Sequence, residues 1–243
     1  MAGHSKWAKI KRDKGANDAK RGAIFTRLGN AIAIAAKGGG DPSMNPTLAL
    51  AIEKAKAANM PNANIEKAIK RGTGELGGDI IEEYMFEGYG PGGVGIIVEA
   101  ASDNRNRTTT EVRTAFNKNG GNMAESGSVA FQFTRKGVIT VKASGEDALL
   151  TILDAGADDA NEDEGEIVVY ADMKKLGIVR DAIKEAGLEV TDAELQYVPN
   201  ETMNIDDATQ ARKVMKIMDA MEELDDVVNT FYNFDIDESV SLD

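Results

Sequence analysis

The residues best suited to chemistry by type and spacing crowd into the first 22 positions. Lys6, Lys9, Lys11, Arg12, Lys14, Lys20 and Arg21 stand there against only Asp13 and Asp18. The chain's one tryptophan, Trp7, and its one histidine, His4, share the segment, and Arg27 follows shortly after. Cations two or three residues apart can follow a phosphate backbone and displace its counterions. An aromatic ring among them can stack on an unpaired base, a contact worth about 1–3 kcal/mol. The competing reading has Trp7 anchoring the segment to its own fold, with the lysines merely solvated.

A second basic group lies at Asp103-Asn-Arg-Asn-Arg107, between an expected strand and an expected helix. Arg105 and Arg107 beside helix-start amides could hold a phosphate. They could equally pair with neighbouring carboxylates, and both readings stay open.

Other strings carry less. Gly88-Tyr-Gly-Pro-Gly-Gly93 matches a dinucleotide fingerprint, but the residues that follow read as a strand, and such a site needs the amino end of a helix. Asp159, Asn161 and Asp163 have calcium-loop spacing, yet Glu164 stands where glycine is wanted and Tyr170 where a bidentate glutamate belongs. A triad would have to use His4, whose place in the basic segment gives it no fixed orientation. No residues here form a convincing catalytic set, and the expectation is a protein without catalytic activity, metal or cofactor.

Composition sets the frame. With 243 residues and 42% hydrophobic content the chain can bury a real core, in one large domain or two to three small ones. The absence of cysteine removes disulfides and thiolate chemistry. No apolar run approaches the ~18 residues of a membrane span, and the first residues lack the apolar block of a secretory signal. A cytoplasmic protein, unattached to membranes, is expected. The net charge of -13 is unevenly spread: residues 1–75 hold 14 Lys and Arg against 6 Asp and Glu, and the remaining residues hold 14 against 35. A basic end on an acidic body points to a polyanionic partner for that end, or to a basic domain docked on its own acidic neighbour.

The elements that must position these residues follow from periodicity. Helices are expected at about 18–37, from 46 after the cap-and-proline pair Asn45-Pro46, and from 62 to 72. Together they make a three-helix bundle. After a glycine-rich linker, strands are expected at 80–87, 94–101 and 129–134, with a helix at 109–119 opened by Thr108 and Glu111 in capping-box spacing. Residues 137–198 read as β-α-β-β-α-β, the order of a ferredoxin-like unit. A helix at 206–224 and a strand at 227–235 would complete the earlier set. The expected architecture is therefore α+β and multidomain: a basic helical domain (1–78), an α+β domain (79–134 plus 201–243), and an inserted ferredoxin-like α+β domain (135–200).

Longer motifs carry a resemblance. Ala2-Gly-His-Ser-Lys-Trp-Ala-Lys-Ile-Lys, Asp18-Ala-Lys-Arg-Gly, Gly38-Gly-Gly-Asp-Pro, Ala57-Ala-Asn-Met-Pro, Ser102-Asp-Asn-Arg-Asn-Arg-Thr and Lys118-Asn-Gly-Gly-Asn-Met-Ala-Glu-Ser-Gly resemble the signature of the YebC/PmpR family. That resemblance implies three domains, two of them α+β, and a non-enzymatic role in gene expression. Members are described as DNA-binding transcriptional regulators, as translation factors easing synthesis through consecutive prolines, and, in mitochondria, as a translational activator of a cytochrome oxidase subunit. This chain departs from the pattern where Asp13 interrupts the basic tract and where residues 30–36 lack basic side chains.

The sequence thus predicts a regulator that grips nucleic acid through residues 2–27, with Arg105 and Arg107 as further contacts. A basic segment with one aromatic suits unpaired RNA, and nothing resembles a recognition helix for the major groove. Ribosomal RNA, on a ribosome whose stalling it relieves, is the preferred partner and promoter DNA the alternative. A protein-interaction scaffold is the reading from another class. A monomer is expected.

Overall fold

The computed structural model describes residues 18–77, 80–163 and 165–242 of the chain. Three helices come first: α1 (Asp18–Ala36), α2 (Pro46–Ala57) and α3 (Asn62–Gly72). Asn45 caps α2 as its sequence predicts, its side-chain oxygen accepting from Leu48 N at 3.1 Å while Pro46 supplies a preset first turn. The bundle core is Ile32, Ala36, Leu48, Ala55, Met60, Ile65 and Ala68. Ile32 and Leu48 are fully buried, each adding about 1.5–3 kcal/mol of burial. Small residues let α1 and α3 approach closely: a Cβ on Gly72 would stand 2.1 Å from Ala33 O.

The first sheet joins β1 (Glu82–Tyr89), β2 (Gly95–Ser102), β3 (Asn122–Ala124) and, from much later in the chain, β9 (Val227–Tyr232). Its order is β3-β1-β2-β9, with every pairing antiparallel. Helix α4 (Arg105–Lys118) and helix α7 (Ala208–Glu222) share one core with it, built on Ile96, Val98, Phe116, Ile217 and Met218. The chain leaves this sheet after β3 and builds the second. That sheet holds β4 (Phe133–Lys142), β5 (Asp159–Asp163), β6 (Glu166–Asp172) and β7 (Glu189–Pro199), with α5 (Glu146–Asp154) and α6 (Leu176–Glu185). Its order, β5-β6-β4-β7, is all antiparallel and ferredoxin-like. The chain then returns through β8 (Met203–Ile205) to α7 and β9, and β10 (Phe234–Ile236) pairs with β8 in parallel.

Several expectations need correction. The third strand of the first sheet is Asn122–Ala124; residues 129–134 do not form it. Val129 and Phe133 are buried, which gave the segment its strand-like pattern, but Ala130–Gln132 is a tight helical turn. Glu87, itself buried, holds that turn by accepting from the backbone N–H groups of Gly127, Val129 and Ala130 at 2.6, 2.6 and 2.8 Å. Phe133 already belongs to β4, so a boundary between residues 134 and 135 falls inside that strand. Helix α4 begins at Arg105, four residues before the expected start, because Asn104 rather than Thr108 caps it. The pairing of β8 with β10 was not expected, and Asn233 interrupts the single closing strand foreseen over 227–235.

Candidate nucleic-acid interface

His4, Lys6, Trp7, Lys9, Lys11, Arg12 and Lys14 lie outside the described residues. Lys20 and Arg21 fall in the first turn of α1, and their side chains are likewise outside the description. What the structure does show is where that basic run is rooted. From Ile24 onward, α1 borders a cleft of about 660 Å³, which it lines with Ile24, Arg27, Leu28 and Ala31. Thr191, Asp192, Glu194, Gln196 and Tyr197 of β7 form another wall, and residues of β9 with Glu222 of α7 a third. Arg27 is half-buried and lines the cleft.

Two ionic nodes fix the helical bundle over this cleft. In the first, Lys54 of α2 donates to Asp192 at 3.4 Å and also to Glu194 of β7. Burial pushes the Lys54 ammonium down, but the charges of Glu194 and Asp192 outweigh it and hold its pKa above the ordinary lysine value. Burial raises the Asp192 carboxyl despite Lys54, with Glu194 adding like-charge repulsion. Beside this node Glu53 meets Arg180 at 3.4 Å and Lys184 at 2.5 Å, tying α2 to α6.

The second node answers the question left open over Arg107. Its guanidinium lies 2.8 Å from Asp226 and 3.3 Å from Asp103, and it also donates to Ser102 Oγ. Carboxylate pairing therefore describes Arg107. Asp226 sits in the turn between α7 and β9 and accepts further bonds from Thr108 Oγ1 at 2.6 Å and Ser102 Oγ at 2.9 Å. Burial works to raise its pKa, but the bonds from Thr108, Arg107 and Ser102 prevail and leave it below the usual carboxylate value. Asp103 shares its charge with Arg71 of α3 at 3.4 Å, while Asn30 of α1 accepts from Arg71 and donates to Asp225 O. Arg105 points elsewhere, 5.7 Å above the Tyr84 ring, and stays exposed. The structure brings Arg105 and Arg107 onto one helical turn but gives them separate surroundings.

Asn30, Arg71 and Asp226 escaped sequence reasoning. Asp226 stands 119 residues from Arg107, and no local pattern links such positions. The discounted motifs keep their modest roles. Gly88–Gly93 makes the β1–β2 hairpin, with Gly90 N bonded to Val94 O at 2.8 Å, and Asp159–Asp163 is a strand.

Comparison with known proteins settles the kinship. Residues 5–75 match the model of the TACO1/YebC protein N-terminal domain, and residues 81–234 that of the TACO1/YebC second and third domain. The chain belongs to the TACO1/YebC family. Full-length relatives include probable transcriptional regulatory proteins of Halothermothrix orenii, 48% identical over 99% of this chain and 97% of that protein, and of Corynebacterium kroppenstedtii, 51% identical over 99% and 98%. The crystal structure of a conserved hypothetical protein from Aquifex aeolicus superposes with a TM-score of 0.86 at 44% identity, covering 92% of this chain and 93% of that one. Among the described residues of this family member, no helix is long and apolar enough to cross a membrane.

Proposed function

We propose that this TACO1/YebC-family chain is a non-enzymatic regulator of gene expression that binds nucleic acid through residues 2–27, with unpaired RNA on the ribosome as its target in the cytoplasm. The observation that carries this reading is the segregation of charge: 14 basic against 6 acidic residues in positions 1–75 of a chain whose net charge is -13. Phosphate neutralisation needs such a concentration of cations, and an acidic body limits contact to the basic end. Trp7 supplies a stacking surface that suits splayed bases better than a closed duplex. Arg105 is the member of the second basic pair whose charge is not taken by a carboxylate in the contacts described, so it is the secondary contact in this reading.

Crosslinking in cells followed by sequencing of the bound nucleic acid tests the proposal. Ribosomal RNA as the main product is the expected result. Absence of any affinity for RNA, DNA or ribosomes at about 50 mM salt overturns it. A second reading, a DNA-binding transcriptional regulator, has a specific observation in its favour: relatives about half identical over nearly their full length are named probable transcriptional regulatory proteins. Recovery of promoter sequences in the same experiment would select it.

A further inference from the structure

The outward side of α4 is built differently from the acidic body around it. Residues four apart stack on one side of a helix, so positions 105, 109, 113 and 117 form one row and 106, 110, 114 and 118 the next. The rows run about 18 Å along the helix axis. They hold three cations, Arg105, Arg113 and Lys118, and no acidic or hydrophobic residue. Among the described residues none of these cations forms an ion pair. Glu111, the one acid of the helix, falls outside both rows and acts on Arg107. The buried side of α4 is Thr108, Val112, Ala115 and Phe116, so core packing does not dictate what stands opposite.

The other positions of the two rows are threonine and asparagine, weak helix formers at solvent-facing sites where stronger ones would fold better. The threonines show what they offer instead. Thr109, Thr110 and Thr114 donate through Oγ1 to the carbonyls of Arg105, Asn106 and Thr110 at 2.7, 2.8 and 2.7 Å. With each proton committed inside the helix, the hydroxyl oxygens retain lone pairs for an outside donor. A phosphate oxygen is itself an acceptor and gains nothing from them, whereas the 2′-hydroxyl of a ribose can donate. We infer that this face of α4 binds a ribonucleotide strand and selects RNA over DNA: Arg105, Arg113 and Lys118 take phosphates while Thr110 and Thr114 accept from ribose 2′-hydroxyls. The face adjoins the basic domain, since Arg71 of α3 meets Asp103, two residues before α4, at 3.4 Å. A strand leaving the basic domain at that junction meets the amino end of α4. An acidic protein surface would use the cations alone and leave the row of acceptors without a role. The inference rests on the nucleic-acid reading above and adds to it the place where the sugar is recognised.

Oligouridine and oligodeoxyuridine of about 20 nucleotides differ only at the 2′ position and so separate sugar from phosphate. Fluorescence anisotropy with the full-length protein should show about five- to tenfold tighter binding of the ribo form, as two net hydrogen bonds predict. Thr110→Val/Thr114→Val, which keeps the branched shape and removes both hydroxyls, should bring that ratio to about 1. Arg113→Ala/Lys118→Ala should weaken binding of both probes and flatten the slope of log affinity against log salt by about 1.4. If the valine pair fails to fold, Thr110→Ala/Thr114→Ala, with its better helix propensity, carries the same test. A ratio that the hydroxyl variants leave at its wild-type value overturns sugar recognition by α4, as does a wild type that binds both probes equally or prefers the deoxy form. An unaltered salt slope in the charge variant overturns the phosphate contacts. If either result accompanies oligouridine binding that Lys9→Ala/Lys11→Ala/Lys14→Ala weakens, the inference falls and the basic-segment reading stands. Binding of neither probe at about 50 mM salt removes both.

Discussion

Asp226 shows how much a single side chain can hold together. Its carboxylate collects Thr108, Ser102 and Arg107, and Arg107 in turn shares Asp103 with Arg71 of the bundle. Hydrogen bonds to a charged group contribute about 1.5–3 kcal/mol. Asp226→Asn should therefore lower stability by roughly that amount at neutral pH, measured by urea unfolding. The pH dependence has a definite sign. Since folding depresses the Asp226 pKa, its contribution is complete above the unfolded value of about 3.9 and is lost as pH falls through the lower folded value. Wild type should lose this contribution only below about pH 4, while Asp226→Asn should lack that component across the same window. An unchanged acid limb in the variant would show that Asp226 is not the titrating group.

Elements, rather than single residues, decide how the bundle is held, and Gly72 marks the tightest point. A methyl group there meets the carbonyl of Ala33 and the Cβ of Ala36, so α1 and α3 would have to separate. Gly72→Ala should cost about 1–3 kcal/mol despite its better helix propensity, seen as a lower thermal midpoint. The elements also show what sequence reveals. The helices of the bundle, the second sheet and the hairpin at Gly88–Gly93 were legible because apolar period and turn residues are local signals. Strand β3 was not, because three residues carry no period; its place depends on pairing with Gly88 and its neighbours. The start of α4 was missed because Arg105-Asn-Arg-Thr is polar throughout, leaving only the Asn104 cap to announce it. At the candidate interface, the basic run stood out as local composition, whereas the partners of Arg107 and the cleft walls around Arg27 are brought together only by the tertiary fold.

At the scale of the whole molecule the question is whether a basic end can work on an acidic body. Lys54 is a mechanical link between the two: Lys54→Met leaves Asp192 and Glu194 facing each other without their cation. Lys54 is two-fifths exposed, so the direct loss should be only about 1 kcal/mol, with faster hydrogen exchange in α2 as the readout. Nucleic-acid binding tests the division of charge more directly. For a single strand, each phosphate neutralised contributes about 0.7 to the slope of log affinity against log salt. The triple variant Lys9→Ala/Lys11→Ala/Lys14→Ala should thus flatten that slope by about 2 if all three lysines touch phosphate. Its thermal midpoint should stay within about 1 °C of wild type if the three lysines serve binding and not folding. Arg105→Ala should flatten the slope by about 0.7 if α4 is a true second contact, and by nothing if Tyr84 is its only role. Net charge also enters: an acidic body repels RNA at long range, so affinity at low salt should fall short of what the slope alone extrapolates. A triple variant with an unaltered slope would place the phosphate contacts outside the basic segment, and with them the function proposed for it.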